Sequence, residues 1–196
     1  MSPLPFRRCR ALLFLLLSLA CASCIAWRGG LERLDPKELP SSAQPRALTF
    51  DVTYLSNGKS KDPEEAAAEI RKALMETGLF ASVERSFDKG PLHISFEFEE
   101  SFNATAVGVS GFISGLTLFL FPAWGKADYS LEAVLHDGYG TRQSARYEDE
   151  YHVLLQIVLL PATPFLYPPK VEKELVQNLA LHAVAELMSP ATPPSR

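Results

Sequence analysis

Alternating apolar and polar residues over 48–54 predict a strand with one buried face. Asn57 and Gly58 end it with a turn composition. The motif Asp62-Pro63-Glu64-Glu65 then opens a helix, because Asp62 can cap it, Pro63 suits the first helical position and Glu65 completes a capping box. Gly78 is placed to end this helix.

Strands are also predicted over 79–87 and 92–98, with a turn at 88–91 between them. In the second of these, Leu92 and every second residue after it form the apolar face, while His93, Ser95, Glu97 and Glu99 face the other way. A hairpin is predicted from strands at 129–136 and 141–151, joined by Asp137-Gly138-Tyr139-Gly140.

The last predicted element is a helix over 170–188 with one apolar stripe, formed by Val171, Leu175, Leu179, Ala183 and Leu187. The predicted order is β-α-β-β, an apolar segment, β-β, a proline-rich apolar segment, and α. This order favours an α+β fold, a two-layer sandwich of two helices on a largely antiparallel sheet with an apolar insertion. The domain is expected to span residues 48–188.

The start of the chain has the layout of an export signal. Three arginines precede the apolar run 11–17, which is too short to span a bilayer. Ser18-Leu19-Ala20-Cys21 follows and resembles the lipobox of bacterial lipoproteins, in which Leu most often stands where Ser18 stands here. The resemblance implies a signal peptide over residues 1–20, cleavage before Cys21 and lipidation of Cys21. The alternatives are a plain secretory signal cut near Ala22, an uncleaved anchor, and lipidation at Cys24.

The same resemblance implies a location. Ala22 follows the lipobox cysteine where Asp would favour inner-membrane retention, so it implies the outer membrane, with the domain facing the periplasm. Residues 21–47 contain scattered Gly, Ser and Pro and no sustained period, and they are predicted to be a lipidated tether. Residues 189–196 are predicted to be a disordered tail.

The acidic net charge argues against nucleic acid as a partner. The 196 residues carry a formal charge of −4, and removal of residues 1–20 takes away three arginines and no acid, which leaves −7. An acidic domain is not expected to bind nucleic acid. By the lipobox resemblance, Cys9 would be lost with the leader and Cys21 would be acylated, so Cys24 would have no cysteine within the domain for a disulfide.

The element order over 48–188 resembles that of LptE-type lipopolysaccharide-assembly lipoproteins, which implies a role in envelope assembly or transport. The stretch from Gly115 to Pro122, Gly-Leu-Thr-Leu-Phe-Leu-Phe-Pro, resembles a set of uncharacterised bacterial lipoproteins. The second resemblance implies a location and no activity.

Two apolar segments, 106–124 and 153–169, are candidates for contact with a membrane or a partner. Residues 101–125 contain no charged side chain, and Gly111 and Gly115 fit the small-xxx-small pattern of paired membrane helices. The segments can complete the core, form an arm that touches a membrane or a partner, or form a transmembrane hairpin. The candidate contact residues are Phe112, Ile113, Leu116, Leu118, Phe119, Phe121 and Trp124.

Catalytic chemistry is not indicated. The four histidines show no ligand-type spacing, so no metal or other cofactor is expected. Gly108-Val109-Ser110-Gly111 is one residue short of a nucleophile elbow.

We therefore expect a non-enzymatic, membrane-anchored periplasmic lipoprotein that binds an envelope protein or lipid during envelope biogenesis, maintenance or transport. The alternative is a membrane-inserting component of a pore or secretion complex.

Overall fold

A computed structural model describes residues 24–39, 44–117, 120–138, 142–156 and 166–189. It contains seven strands and three α-helices, an α+β fold as predicted. The strands are β1 (Cys24–Arg28), β2 (Arg46–Ser56), β3 (Lys59–Lys61), β4 (Phe80–Arg85), β5 (Leu92–Phe102), β6 (Ala123–Asp137) and β7 (Arg142–Leu155). The helices are α1 (Glu64–Glu76), α2 (Ala104–Leu116) and α3 (Pro168–Met188).

Strand β2 lies inside the sheet, whose order is β1-β7-β6-β5-β2-β3, with β4 also paired to β2. Strands β4 and β5 both run parallel to β2 and lie on opposite edges of it, since Thr49 and Phe50 pair with both. The turn predicted at 88–91 therefore does not close a hairpin. It carries the chain from one side of β2 to the other.

The core is formed by the alternating apolar positions of β2 and β5 together with α1 and α3. Phe50 and Phe96 meet edge to face at 6.2 Å between ring centroids, and both are buried. The predicted apolar stripe of the last helix is confirmed, because each of its five residues is buried. Helix α1 begins at Glu64, one residue later than predicted, and Asp62 Oδ1 accepts a hydrogen bond from Glu64 N at 3.1 Å.

The structure differs from the prediction over the proposed tether. Residues 24–28 form β1, which pairs antiparallel with β7 from Cys24↔Leu155 to Arg28↔Tyr151. Residues 36–38 form a 3-10 helix capped by Asp35, whose Oδ1 accepts from Lys37 N at 2.9 Å. A five-residue edge strand is too short to show a period, and its backbone bonds leave no trace in composition.

The chain divides into two compact units. The first, here called the apolar unit, comprises residues 1–28, 102–127 and 151–171, and the second, the acidic unit, comprises residues 29–101, 128–150 and 172–196. The predicted signal peptide, Cys21 and residues 190–196 of the predicted tail lie outside the described residues, as do 40–43, 139–141 and 157–165.

Candidate functional site

Helix α2 forms the middle of the candidate site, and polar residues fix both of its ends. Asn103 caps it, its Oδ1 accepting from Ala106 N at 2.9 Å. At the other end, Thr117 Oγ1 donates to Ser114 O at 3.0 Å. A Cβ added at Gly111 or Gly115 would meet nothing within 4 Å, so the small-xxx-small motif pairs with no described neighbour.

Two serines attach α2 to the segment that leads into β6. Ser110 Oγ donates to Trp124 O at 2.9 Å, and Ser114 Oγ donates to Phe121 O at 2.7 Å. Ser114 is the one buried residue of α2, and the apolar side chains of the helix are exposed. The helix is therefore inverted relative to a core helix, with hydroxyls toward the protein and hydrocarbon toward solvent.

The structure places the predicted contact residues on this exposed surface. Phe112 and Leu116 are each 69% exposed, and Ile113, Phe121 and Trp124 are also exposed. The alternative in which this apolar segment completes the core is thus wrong for α2. Leu118 and Phe119 lie outside the described residues.

The exposed apolar surface extends beyond the residues predicted from sequence. Its other large exposed side chains in the apolar unit are Trp27, Phe102, Val107, Val109, Leu120, Leu166 and Tyr167. Of the large apolar residues that the structure describes, the acidic unit exposes Met75 and Phe87. Large exposed apolar side chains that are concentrated in one compact unit indicate a contact surface for a membrane or another protein.

Three aromatic rings stack within the apolar unit. The ring of His152 stacks with those of Trp27 and Trp124, at centroid distances of 5.3 and 6.5 Å and interplanar angles of 13° and 16°. The register of β1 on β7 places Trp27 opposite His152. Sequence reasoning missed Trp27 because it lies in the segment interpreted as a tether.

Cys24, the second choice for lipidation, belongs to β1. It pairs with Leu155, and burial raises the pKa of its thiol. A raised pKa lowers the thiolate population at neutral pH, which disfavours a reactive cysteine.

A Ser, His and Asp group lies in the acidic unit on neighbouring strands. His93 Nε2 is 3.0 Å from Asp51 Oδ2, and Ser95 Oγ donates to the same oxygen at 3.1 Å. His93 Nδ1 is 2.9 Å from Thr49 Oγ1, and the His93 side chain is fully buried. A catalytic triad places the serine and the carboxylate at opposite nitrogens of the ring, whereas here both lie at Nε2. The group satisfies the hydrogen-bonding needs of a buried histidine.

The acidic unit also contains a groove of about 640 Å³. It is lined by Gly30, Leu31, Glu99, Ser101, Asp128, Tyr129, Ser130, Arg146, Glu148, Asp149 and Glu150. Arg146 Nη2 pairs with Glu148 Oε1 at 3.0 Å. Across the described ranges, no three His, Cys, Asp or Glu side chains are arranged to hold a metal ion.

No protein-family model matches the chain, and no curated protein matches it in sequence. Among solved structures, it is similar to a minor lipoprotein from Acinetobacter baumannii, with 9% identity and a TM-score of 0.43, covering 76% of this chain and 93% of that one. It is also similar to the PelC dodecamer from Paraburkholderia phytofirmans, with 12% identity and a TM-score of 0.34, covering 84% of this chain and 96% of that one.

Proposed function

We propose that this protein is a lipid-anchored, non-enzymatic component of the bacterial envelope whose apolar unit rests on the membrane that holds its lipid. The observation that carries the proposal is the inverted α2, in which Ser110 and Ser114 face the protein and Phe112 and Leu116 face outward. Such a surface is stable where hydrocarbon covers it. A bilayer interface supplies that hydrocarbon.

Covalent geometry supports the bilayer as the contact. Cys21 precedes the first residue of β1, Cys24, by three positions, and an extended chain of that length reaches about 10 Å. Lipidation at Cys21 therefore holds β1 at the membrane surface. Trp27 and Trp124, both exposed in the apolar unit, are of the residue type that favours the headgroup region.

The dimensions of α2 favour surface contact over insertion across the bilayer. Its 13 residues have a length of about 20 Å, against a hydrocarbon core of about 30 Å. No helix within the described residues is long and apolar enough to cross a membrane. We therefore favour a helix that lies in the interface over the pore or secretion component.

The lipobox resemblance further supports an outer-membrane position with the acidic unit facing the periplasm. We propose that the acidic unit serves an envelope partner there, in biogenesis, maintenance or transport.

The anchor is tested by labelled-palmitate incorporation in cells that produce the wild-type protein, Cys21→Ala or Cys24→Ala. Label should be lost in Cys21→Ala and kept in Cys24→Ala, because Cys24 lies in β1 and pairs with Leu155 of β7. Label retained in Cys21→Ala would refute the anchor site.

The contact is tested with residues 22–196, which retain every described residue and lack Cys21. This protein should float with phospholipid vesicles in a density gradient. Failure to float would remove the bilayer as the partner of the apolar unit and favour a protein partner instead.

A further inference from the structure

The two units differ in charge as well as in apolarity. All 23 Asp and Glu residues of the chain lie in the acidic unit. From Cys24 onward, the apolar unit contains three permanently charged residues, and all are cations: Arg28, Lys126 and Lys170. The permanently charged residues of the apolar unit from Cys24 onward are thus all cations, in a protein that is acidic overall.

Each cation lies within three positions of an exposed aromatic residue. Arg28 follows Trp27 in β1, and Lys170 follows Tyr167 by three positions at the start of α3. Lys126 follows Trp124 by two positions in β6, which places both side chains on one face of that strand.

This combination of residue types is typical of a bilayer interface. Tryptophan and tyrosine favour the headgroup level, and lysine and arginine favour the phosphates of anionic lipids beside it. Lys126 and Lys170 are exposed. Arg28 is half-buried and follows the exposed Trp27 in β1.

We propose that the apolar unit selects bilayers with anionic phosphate headgroups, and that Arg28, Lys126 and Lys170 provide the selectivity. This inference rests on the proposed function, since it names the lipid class that the same surface contacts. Apolar burial supplies a part of the affinity that does not depend on the headgroup, and the three cations supply a part that salt screens.

The test compares residues 22–196 on phosphatidylcholine vesicles and on vesicles that also contain phosphatidylglycerol. Both tryptophans of the chain lie in the apolar unit, so a blue shift of the intrinsic emission reports contact at that unit. The wild-type protein should bind both vesicles and should prefer the anionic one. Added salt should reduce the preference without abolishing binding to phosphatidylcholine.

Charge variants locate the selectivity. Combining Arg28→Gln, Lys126→Gln and Lys170→Gln should weaken binding to the anionic vesicles by about fivefold per cation, or about 100-fold together. The matched control combines Lys59→Gln, Arg71→Gln and Lys72→Gln, three exposed cations of the acidic unit, and makes the same change in net charge. It should retain the preference, as should a variant with Arg28→Lys, Lys126→Arg and Lys170→Arg.

Equal binding of the wild-type protein to both vesicles would overturn the headgroup selectivity and leave the bilayer contact standing. Equal losses in the two glutamine variants would also overturn it, because the effect would then follow net charge alone. Binding to neither vesicle would overturn the bilayer contact and the selectivity together.

Discussion

Phe112 and Leu116 offer the sharpest test of the bilayer contact. They lie four residues apart in α2 and therefore on the same face of the helix. Each is 69% exposed, so serine at both positions should remove hydrocarbon from the surface without opening a cavity in the fold.

The size of the effect follows from the exposed fractions. Full burial of a Phe or Leu side chain contributes about 1.5–3 kcal/mol. A residue that is 69% exposed can gain about two thirds of that on entering the interface, or about 1–2 kcal/mol. The double variant should therefore bind phosphatidylcholine vesicles about 30- to 1,000-fold more weakly.

A vesicle titration followed by tryptophan emission measures this loss, since Trp27 and Trp124 both lie in the apolar unit. The matched control is Phe87→Ser with Met75→Ser, which removes exposed apolar side chains from the acidic unit. Urea denaturation of both double variants shows whether the fold is retained.

The control pair should bind vesicles as the wild-type protein does. An unchanged vesicle affinity in Phe112→Ser with Leu116→Ser would refute the contact through α2. Equal losses in both pairs would show that binding follows general hydrophobicity and would refute it as well.

Three further predictions concern the acidic unit. Gly29→Ala should lower the free energy of unfolding by about 1–3 kcal/mol, because the added Cβ would lie 2.7 Å from Glu150 Cβ. The control Gly30→Ala should change the stability little, because a Cβ there has nothing within 4 Å. Equal urea midpoints for the two variants would contradict the steric explanation. Asn178→Ala should lower the free energy of unfolding by about 2–4 kcal/mol. The buried Asn178 amide donates to Glu32 O and accepts from Leu34 N, each at 2.8 Å, and alanine removes both hydrogen bonds. An unchanged urea midpoint would show that these bonds contribute little. Burial and a neighbouring lysine lower the pKa of His136, so the stability it contributes is present above about pH 6.5 and is lost as pH falls below that. His136→Gln should lose less stability than the wild-type protein between about pH 7 and about pH 5 in urea denaturation, and an identical loss would rule out this contribution.

The sequence predicts well those elements in which the spacing of apolar residues repeats many times. Strand β2 alternates over seven residues, and the stripe of α3 repeats over more than four turns, so both are recognisable without a partner. Strand pairing is a long-range property. The turn composition at 88–91 indicates a change of direction, but it does not say that β5 will lie on the far side of β2 from β4.

Burial at the candidate site was harder to predict than apolarity. The absence of charge over 101–125 identified α2 as a contact candidate, but a nearly continuous apolar run does not show which side faces the protein. The useful signal was the serine pair four residues apart, Ser110 and Ser114, which form the polar side of the helix.

Long-range pairing also decides the surroundings of single residues. His93 occupies an outward position of β5 by alternation, yet it is fully buried because the parallel register on β2 brings Asp51 and Thr49 beside it. Trp27 lies in the candidate site because β1 pairs with β7, and no local sequence pattern predicts this pairing.

The pairing of β1 also has a mechanical consequence. With lipid at Cys21, tension between the membrane and the domain would enter the fold at Cys24, the first residue of an edge strand. Where the force acts across the ladder, an edge strand loaded at its end separates from its neighbour one hydrogen bond at a time, at lower force than a strand sheared along its length. The five-residue ladder would open first, and each residue released would add about 3.4 Å of reach. Moderate pulling would thus lengthen the anchor and spare the rest of the sheet.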